Sequence, residues 1–282
     1  MARYGEAAGA VGGDPAGMTT HLSTPVRLPV IAHGDPRGIP VVLLHGLSDS
    51  GRSFEPVLER LPAGIRAYAV TLRGHGDAPR PAGGYDASQL AHDVAAVLDD
   101  AGIDRAVVAG HSMGSIVATR LALDAPDRVC ALVLMGAKPT FRHLDEFYAE
   151  VARFGDAVDP AWVRDFQLST LAQPIPPAFL DMVVDESLKL PPRVWQALVG
   201  PTLGVDHTGD LGRIPVPVLL AWGDRDDIAL RHDQETYLRH LPDARLRVYA
   251  DAGHAFHWED PAAFARDLAE FAVRHAPGVS RS

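Results

Sequence analysis

A serine lies between two glycines in the stretch Gly-His-Ser-Met-Gly, residues 110–114. The apolar run "AVVA" precedes this stretch, and the helical segment "SIVATRLALDA" follows it. A sharp strand-to-helix turn brings the flanking backbones close together, and glycines at 110 and 114 permit that approach. The pattern predicts that Ser112 is held out at the carboxyl edge of a sheet as a candidate nucleophile, with the Met113 amide pointing at the same spot.

A serine hydroxyl is a weak nucleophile at neutral pH, so this chemistry also needs a histidine base and an acid that orients the imidazole. Two later stretches supply candidates, "GDRDD" (223–227) and "AGHAFHWEDP" (252–261). Each comes directly after an apolar run of strand length, and the carboxyl ends of parallel strands meet at one edge of a sheet. The order of serine, aspartate and histidine along the chain predicts covalent acyl transfer at that edge.

Seven short apolar runs predict the strands that must position these residues. Helical patterns lie between several of them; one begins at Asp86, with Gln89 at capping-box spacing, and stops at Gly102. This alternation predicts a mostly parallel sheet covered by helices on both faces. The turn-rich "DPRGI" predicts a hairpin-type connection between the first two runs. The seven runs are "VRLPVIAHG" (26–34), "PVVLLHG" (40–46), "RAYAVTL" (66–72), "RAVVAG" (105–110), "VCALVLMG" (129–136), "VPVLLAWG" (216–223) and "RLRVYAD" (245–251).

Residues 138–210 break the alternation, because they contain only helical or proline-punctuated segments. They hold eight of the nineteen aromatic residues, more than their length would supply. We expect internal packing to use most of these rings and the remainder to line an apolar pocket under a lid. The candidate substrate-binding residues are Phe141, Trp162, Phe166 and Trp195.

Composition limits the classes of function. The 282 residues are 47% hydrophobic, enough to bury a large core, and the net charge of −10 argues against binding to nucleic acid or an anionic membrane. No run approaches the length of a membrane span. The single cysteine, Cys130, lies in an apolar run and is expected to be buried. Residues 1–20 are expected to be a disordered leader, with Met18 a candidate start, and the absence of a signal peptide favours the cytoplasm.

Five ordered motifs closely resemble those of the α/β-hydrolase superfamily, from about residue 26 to residue 275. They are "LLHG" (43–46), "RGHG" (73–76), "GHSMG" (110–114), "WGDRDD" (222–227) and "GHAFHWEDP" (253–261). The resemblance implies Ser112 as nucleophile, Asp226 as acid and His254 as base. It implies that the amides of Leu47 and Met113 form the oxyanion hole.

The same resemblance implies an α/β fold of the α/β-hydrolase type: a mostly parallel, doubly wound sheet with a helical cap inserted after the sixth strand. The expected core comprises residues 21–137 and 211–276, the cap comprises residues 138–210, and residues 277–282 form a tail. The remaining histidines near the motifs, His45, His75, His111 and His257, are expected to brace the site rather than react.

Within the superfamily, the chain looks like enol-lactonases and small carboxylesterases. The leading interpretation is a serine hydrolase that cleaves a carboxylic ester or lactone of a largely apolar or aromatic substrate. The alternatives are a carbon-carbon bond hydrolase of aromatic degradation, a cofactor-free haloperoxidase or perhydrolase, and a receptor that binds without catalysis. The expected partner is a small molecule, with no cofactor, metal, nucleic acid or membrane involved, and a homodimer is left open.

Overall fold

The computed structural model describes residues 22–276 as a seven-stranded sheet with helices on both faces. The sheet order is β1-β3-β2-β4-β5-β6-β7, with β1 antiparallel to β3 and every other neighbouring pair parallel. The expected leader, the candidate start Met18 and the tail at 277–282 lie outside the described residues. The strands are β1 Val30–His33, β2 Ile39–Leu44, β3 Ile65–Val70, β4 Ala106–His111, β5 Val129–Met135, β6 Val218–Gly223 and β7 Ala244–Tyr249.

Ten α-helices connect or cover these strands in the described residues. Several begin at a residue whose side chain forms a helix N-cap. The Asp86 side chain accepts a hydrogen bond from the amide of Gln89, as the capping-box spacing predicts. The helices are α1 Glu55–Leu58, α2 Ala87–Asp100, α3 Met113–Asp124, α4 Asp145–Val151, α5 Pro160–Ser169, α6 Pro177–Leu188, α7 Pro192–Val199, α8 Arg231–His240, α9 Phe256–Glu259 and α10 Pro261–His275.

The central strands are buried on both faces. Val42 and Leu44 of β2 join the hydrophobic cluster on one side of the sheet, whereas Val41 and Leu43 join the cluster on the other side. Alternate residues point to opposite faces of the sheet, and both faces are buried. The strands therefore read as continuous apolar runs in the sequence. Cys130 of β5 is buried, as expected. The sheet thus forms a rigid platform whose carboxyl edge carries the candidate site.

The predicted hairpin between the first two runs is wrong. β1 pairs with β3, and β2 lies between β3 and β4. Burial explains the difference, because every residue of β1 is at least partly exposed, whereas the last four residues of β2 are fully buried. A strand such as β2 requires parallel neighbours on both sides, so β1 is left to the edge of the sheet.

Helices α4, α5, α6 and α7 follow one another between β5 and β6, and we call residues 138–210 the cap. Within the described residues the cap follows the fifth strand, one earlier than expected, because only five of the seven apolar runs precede it. Its two ends are joined at a neck: Thr140 and Asp206 form an antiparallel bridge, and the amide of His207 donates to the carbonyl of Pro139 over 3.0 Å. No helix in residues 22–276 is both long and apolar enough to cross a membrane.

Candidate active site

Ser112 lies at the sharp turn between β4 and α3, as the glycine spacing predicts. Its backbone has φ 51° and ψ −117°, a conformation that residues other than glycine rarely adopt. A side-chain carbon on Gly110 would collide with the carbonyl oxygen of Gly114, and one on Gly114 would collide with that of Leu44. The two glycines are therefore needed for the turn to close against the end of β2.

His254 and Asp226 lie together at the same edge of the sheet. His254 Nδ1 is 2.8 Å from Asp226 Oδ2, and both side chains are almost completely buried. The second carboxylate oxygen of Asp226 accepts hydrogen bonds from the amides of Ile228 and Ala229, each at 2.8 Å. Because the carboxylate accepts from Nδ1–H, the imidazole is held in the tautomer that leaves Nε2 available as a base.

His111 connects the base to the nucleophile's strand. Its Nε2 atom is 3.1 Å from the carbonyl oxygen of His254, and the centroids of the two rings are 4.9 Å apart. Directly after β5, Gly136 has φ +50°, and a side-chain carbon there would lie 2.9 Å from His254 Nδ1. The structure therefore brings His254 against the ends of β4 and β5, beside the turn that carries Ser112.

The two segments expected to supply oxyanion amides are in contact. Met113 is the first residue of α3, and Leu47 is buried in the loop after β2. The Cα of Gly114 packs against that loop so closely that a side-chain carbon would lie 2.6 Å from the carbonyl oxygen of His45. Ser48, directly after Leu47, has φ +67°. The assignment of the two amides to an oxyanion hole stays a prediction.

Three further histidines support this edge. The amide of Leu72 donates to His45 Nε2 over 3.0 Å, and His45 Nδ1 lies 2.7 Å from the carbonyl oxygen of Gly46, so His45 ties the loop after β2 to the end of β3. Burial lowers the pKa of His75 to about 4 and that of His257 to about 3, which keeps both rings neutral at pH 7. The two hydrogen bonds of His45 are those of a bracing residue, and the bracing role of His75 and His257 stays a prediction.

The four candidate substrate-binding residues are found in the cap and at its neck. Trp162 and Phe166 of α5 stack with centroids 5.5 Å apart, and Trp195 of α7 meets both rings edge-on. Phe141 and Trp195 are buried, whereas Trp162 and Phe166 are partly exposed. The rings of Trp162, Phe166 and Trp195 thus pack against one another inside the cap. The substrate-binding role of the four residues stays a prediction.

A cavity of about 360 Å³ reaches His254 from the surface. The cap segment that follows α5 forms one wall, and the loops after β6 and β7 form the other; none of the four candidate aromatic residues contributes to it. Its lining residues are Ser169, Thr170, Leu171, Ala172, Gln173, Arg225, Asp227, Asp251 and His254.

Sequence reasoning missed a buried polar cluster at the junction of the cap and the loop after β2. Gln167 Nε2 of α5 lies 3.0 Å from Asp49 Oδ1, 3.2 Å from Ser48 Oγ and 2.8 Å from Ser187 Oγ. Burial raises the pKa of Asp49 to about 7, against the opposing effects of the Gln167 hydrogen bond and the nearby His254. No local pattern signalled the cluster, because Asp49 lies three residues beyond the motif "LLHG" and its partner Gln167 is 118 positions away.

Comparison with known proteins places these features in a family. Residues 41–267 match the model of the alpha/beta hydrolase family. A pimeloyl-[acyl-carrier protein] methyl ester esterase of Neisseria meningitidis serogroup B is 32% identical over 252 residues, covering 83% of this chain and 94% of that protein.

Two solved structures share the fold and much of the length. The esterase RhEst1 from Rhodococcus sp. ECU1013 superimposes with a TM-score of 0.76 at 27% identity, covering 88% of this chain and 95% of that one. Est816, described as an N-acyl homoserine lactone degrading enzyme, gives a TM-score of 0.75 at 25% identity, covering 87% and 97%. The chain therefore belongs to the alpha/beta hydrolase family, as a hydrolase of the esterase type.

Proposed function

We propose that this chain hydrolyses a carboxylic ester or lactone of a largely apolar or aromatic substrate, through an acyl-enzyme formed on Ser112. The observation that carries the proposal is the 2.8 Å contact between His254 Nδ1 and Asp226 Oδ2, beside the strained turn at Ser112. A buried His–Asp pair next to a serine held in this conformation is the arrangement that activates a hydroxyl nucleophile.

In the proposed mechanism, His254 Nε2 takes the proton of Ser112 as the oxygen attacks the acyl carbon. Asp226 stabilises the imidazolium that forms, while the amides of Leu47 and Met113 donate to the tetrahedral oxyanion. The leaving alcohol takes its proton from His254. Water then attacks the acyl-enzyme by the same steps, releasing the acid and restoring Ser112.

The relatives favour ester and lactone bonds. The Neisseria protein is named for cleaving a methyl ester, and Est816 is described as degrading a lactone. In both bond types the acyl carbon carries an oxygen leaving group that needs only one proton, which His254 supplies. We propose that Trp162 and Phe166, the partly exposed members of the cap's aromatic cluster, supply the apolar wall for the substrate.

The test is hydrolysis of a matched panel: p-nitrophenyl acyl esters with acyl chains from two to twelve carbons, γ-, δ- and macrocyclic lactones, and a vinylogous aromatic diketone. The wild type is compared with Ser112→Ala and with Ser88→Ala, a partly exposed serine of α2 that serves as the matched control. We expect turnover of esters or lactones that Ser112→Ala loses by ~10⁴-fold or more and that Ser88→Ala retains.

A fluorophosphonate probe provides a second measurement, because rapid labelling requires an activated serine. Labelling at Ser112 together with turnover of the diketone alone would replace the ester assignment with carbon-carbon hydrolysis. Absence of both labelling and turnover in the folded protein would leave the binding-only alternative. A loss of activity in Ser88→Ala equal to that in Ser112→Ala would overturn the assignment of the nucleophile.

A further inference from the structure

Asp49 is a buried carboxyl that the proposed mechanism does not use. Its side chain lies in the loop after β2, two residues beyond Leu47, with an exposed fraction of 3%. In the part of the chain that the structure describes, it forms no ion pair with a lysine or arginine. An ionised carboxylate buried without a cation is costly, so a group in this position favours its protonated form.

Gln167 joins this carboxyl to the cap. Its Nε2 atom lies within hydrogen-bond distance of Asp49 Oδ1 and of two hydroxyl oxygens, those of Ser48 on the loop and Ser187 on α6. Ser48 Oγ is also 3.1 Å from Ser187 Oγ. Two cap helices and the loop that carries Leu47 therefore meet in one buried polar cluster.

His111 offers a matching acceptor on the other side of Asp49. Its Nε2 faces the carbonyl oxygen of His254, which can only accept, so the ring proton is on Nε2. Burial lowers the pKa of His111 well below its ordinary value, so the ring is neutral and Nδ1 carries a lone pair. That buried Nδ1 has no hydrogen-bond partner among the described residues. A side-chain carbon on Gly46 would lie 2.9 Å from His111 Nδ1 and 3.1 Å from Asp49 Oδ2, so both atoms face the same space.

We propose that Asp49 is a positioning residue that keeps its proton and directs it toward His111 Nδ1 across the space beside Gly46. Polar groups then run from Gln167 in the cap, past Asp49 and His111, to the backbone carbonyl of His254, with the space beside Gly46 between Asp49 and His111. The role rests on the proposed function, because what the chain would position is the base and the loop of Leu47. The titratable groups that face Asp49 are His254 and His111. Its hydrogen-bond partner Gln167 is uncharged, as are the hydroxyls of Ser48 and Ser187 that Gln167 also contacts.

The first test is independent of activity and compares thermal unfolding of the wild type and Asp49→Asn from pH 4 to pH 8. Asparagine is isosteric and offers the same acceptor and a donor without titrating. Since burial raises the pKa of Asp49 from 3.8 to about 7, the folded protein holds a proton that the unfolded chain releases, and the wild type loses stability as pH rises through this range. We expect the melting temperature of Asp49→Asn minus that of the wild type to increase from pH 4 to pH 7 and to stay constant above pH 7.

The matched control for this comparison is Asp127→Asn, which changes an exposed aspartate. Its melting temperature should differ from that of the wild type by the same amount at every pH. A difference between Asp49→Asn and the wild type that does not change with pH would overturn the proton-holding role, whether or not the protein proves to be an esterase.

The second test measures kcat and KM on the best substrate of the panel. We expect Asp49→Leu to lower kcat by roughly 10- to 100-fold, the scale of a small misplacement of reacting groups, with little change in KM. Asp49→Asn should recover most of that loss at neutral pH because its amide keeps a donor directed toward His111 Nδ1. Wild-type kcat in a folded Asp49→Leu, or an Asp49→Asn as impaired as Asp49→Leu, would overturn the positioning role. Failure of the wild type to hydrolyse any substrate would instead count against the proposed function.

Discussion

The carboxyl edge of the sheet and the cap are held together by different means. At the sheet edge, backbone constraints fix the geometry: Ser112 and Ser48 have positive φ, and Gly110 leaves no room for a side chain. In the cap, the arrangement depends on side chains, with the partly exposed Trp162 and Phe166 stacked against each other and edge-on to the buried Trp195. The reacting groups are thus placed by geometry that few residue types allow, whereas the proposed substrate walls are placed by packing that many apolar residues can provide.

The most sensitive position on the sheet side is Asp226. Asp226→Asn should lower kcat/KM by about 10⁴-fold, because an amide donor facing His254 Nδ1 favours the tautomer whose Nε2 is protonated. The melting temperature should change little if the amide oxygen of the new side chain still accepts from the amides of Ile228 and Ala229. Steady-state kinetics with a thermal melt checks this. Activity within tenfold of the wild type would mean that the sheet edge does not dictate the chemistry.

Asp93 of α2 anchors the loop after β3 through a buried ion pair with Arg73. Arg73 Nε and Nη2 donate to its carboxylate over 2.6 and 2.9 Å, and both side chains are fully buried. Asp93→Asn leaves a buried guanidinium without its counter-charge, so the free energy of unfolding should fall by about 3–5 kcal/mol. Urea denaturation measures the loss, with Asp127→Asn as the surface control. A loss below about 1 kcal/mol would show that this pair contributes no more than a surface contact.

Acid should lower the free energy of unfolding, because histidines at the sheet edge are buried in their neutral form. Burial lowers the pKa of His257 from 6.5 to about 3, so the unfolded chain takes up a proton as pH falls below 6.5 while the folded chain does not. Stability is therefore full above pH 6.5 and is lost as pH falls toward 3. His257→Phe should remove roughly 2–3 kcal/mol of this loss by pH 4.5, as measured by urea denaturation at pH 7.5 and 4.5. The exposed His232→Gln is the control, and an acid loss undiminished in His257→Phe would contradict the assignment.

The smallest effect is expected in the cap. Arg164 of α5 and Asp181 of α6 form an ion pair in which both side chains are largely exposed. Asp181→Asn should lower the free energy of unfolding by at most about 1 kcal/mol, since water and salt screen such pairs. Urea denaturation at low and high salt checks it. A loss comparable with that of Asp93→Asn would mean that polar contacts hold the cap as firmly as the platform.

Local patterns were sufficient to predict most of the sheet side. The continuous apolar runs of the central strands, the helix N-cap at Asp86 and the glycines around Ser112 each depend on residues a few positions apart, and the structure has them where they were expected. The predicted hairpin failed because apolar runs do not say which strand lies at the sheet edge. The contact between Asp49 and Gln167 was invisible for another reason: it joins residues 118 positions apart, and neither has a neighbour that signals the other.

The neck of the cap determines which part of the insertion can change in sequence while the sheet stays the same. Because Thr140 pairs with Asp206 and Pro139 accepts from the amide of His207, the cap is a loop closed at its base. The closure confines the conformational freedom of the insertion to the segment beyond the neck. We expect the segment between Thr140 and Asp206 to be exchangeable as a cassette, so that a new cap could be grafted onto the same sheet without altering the register of β5 and β6.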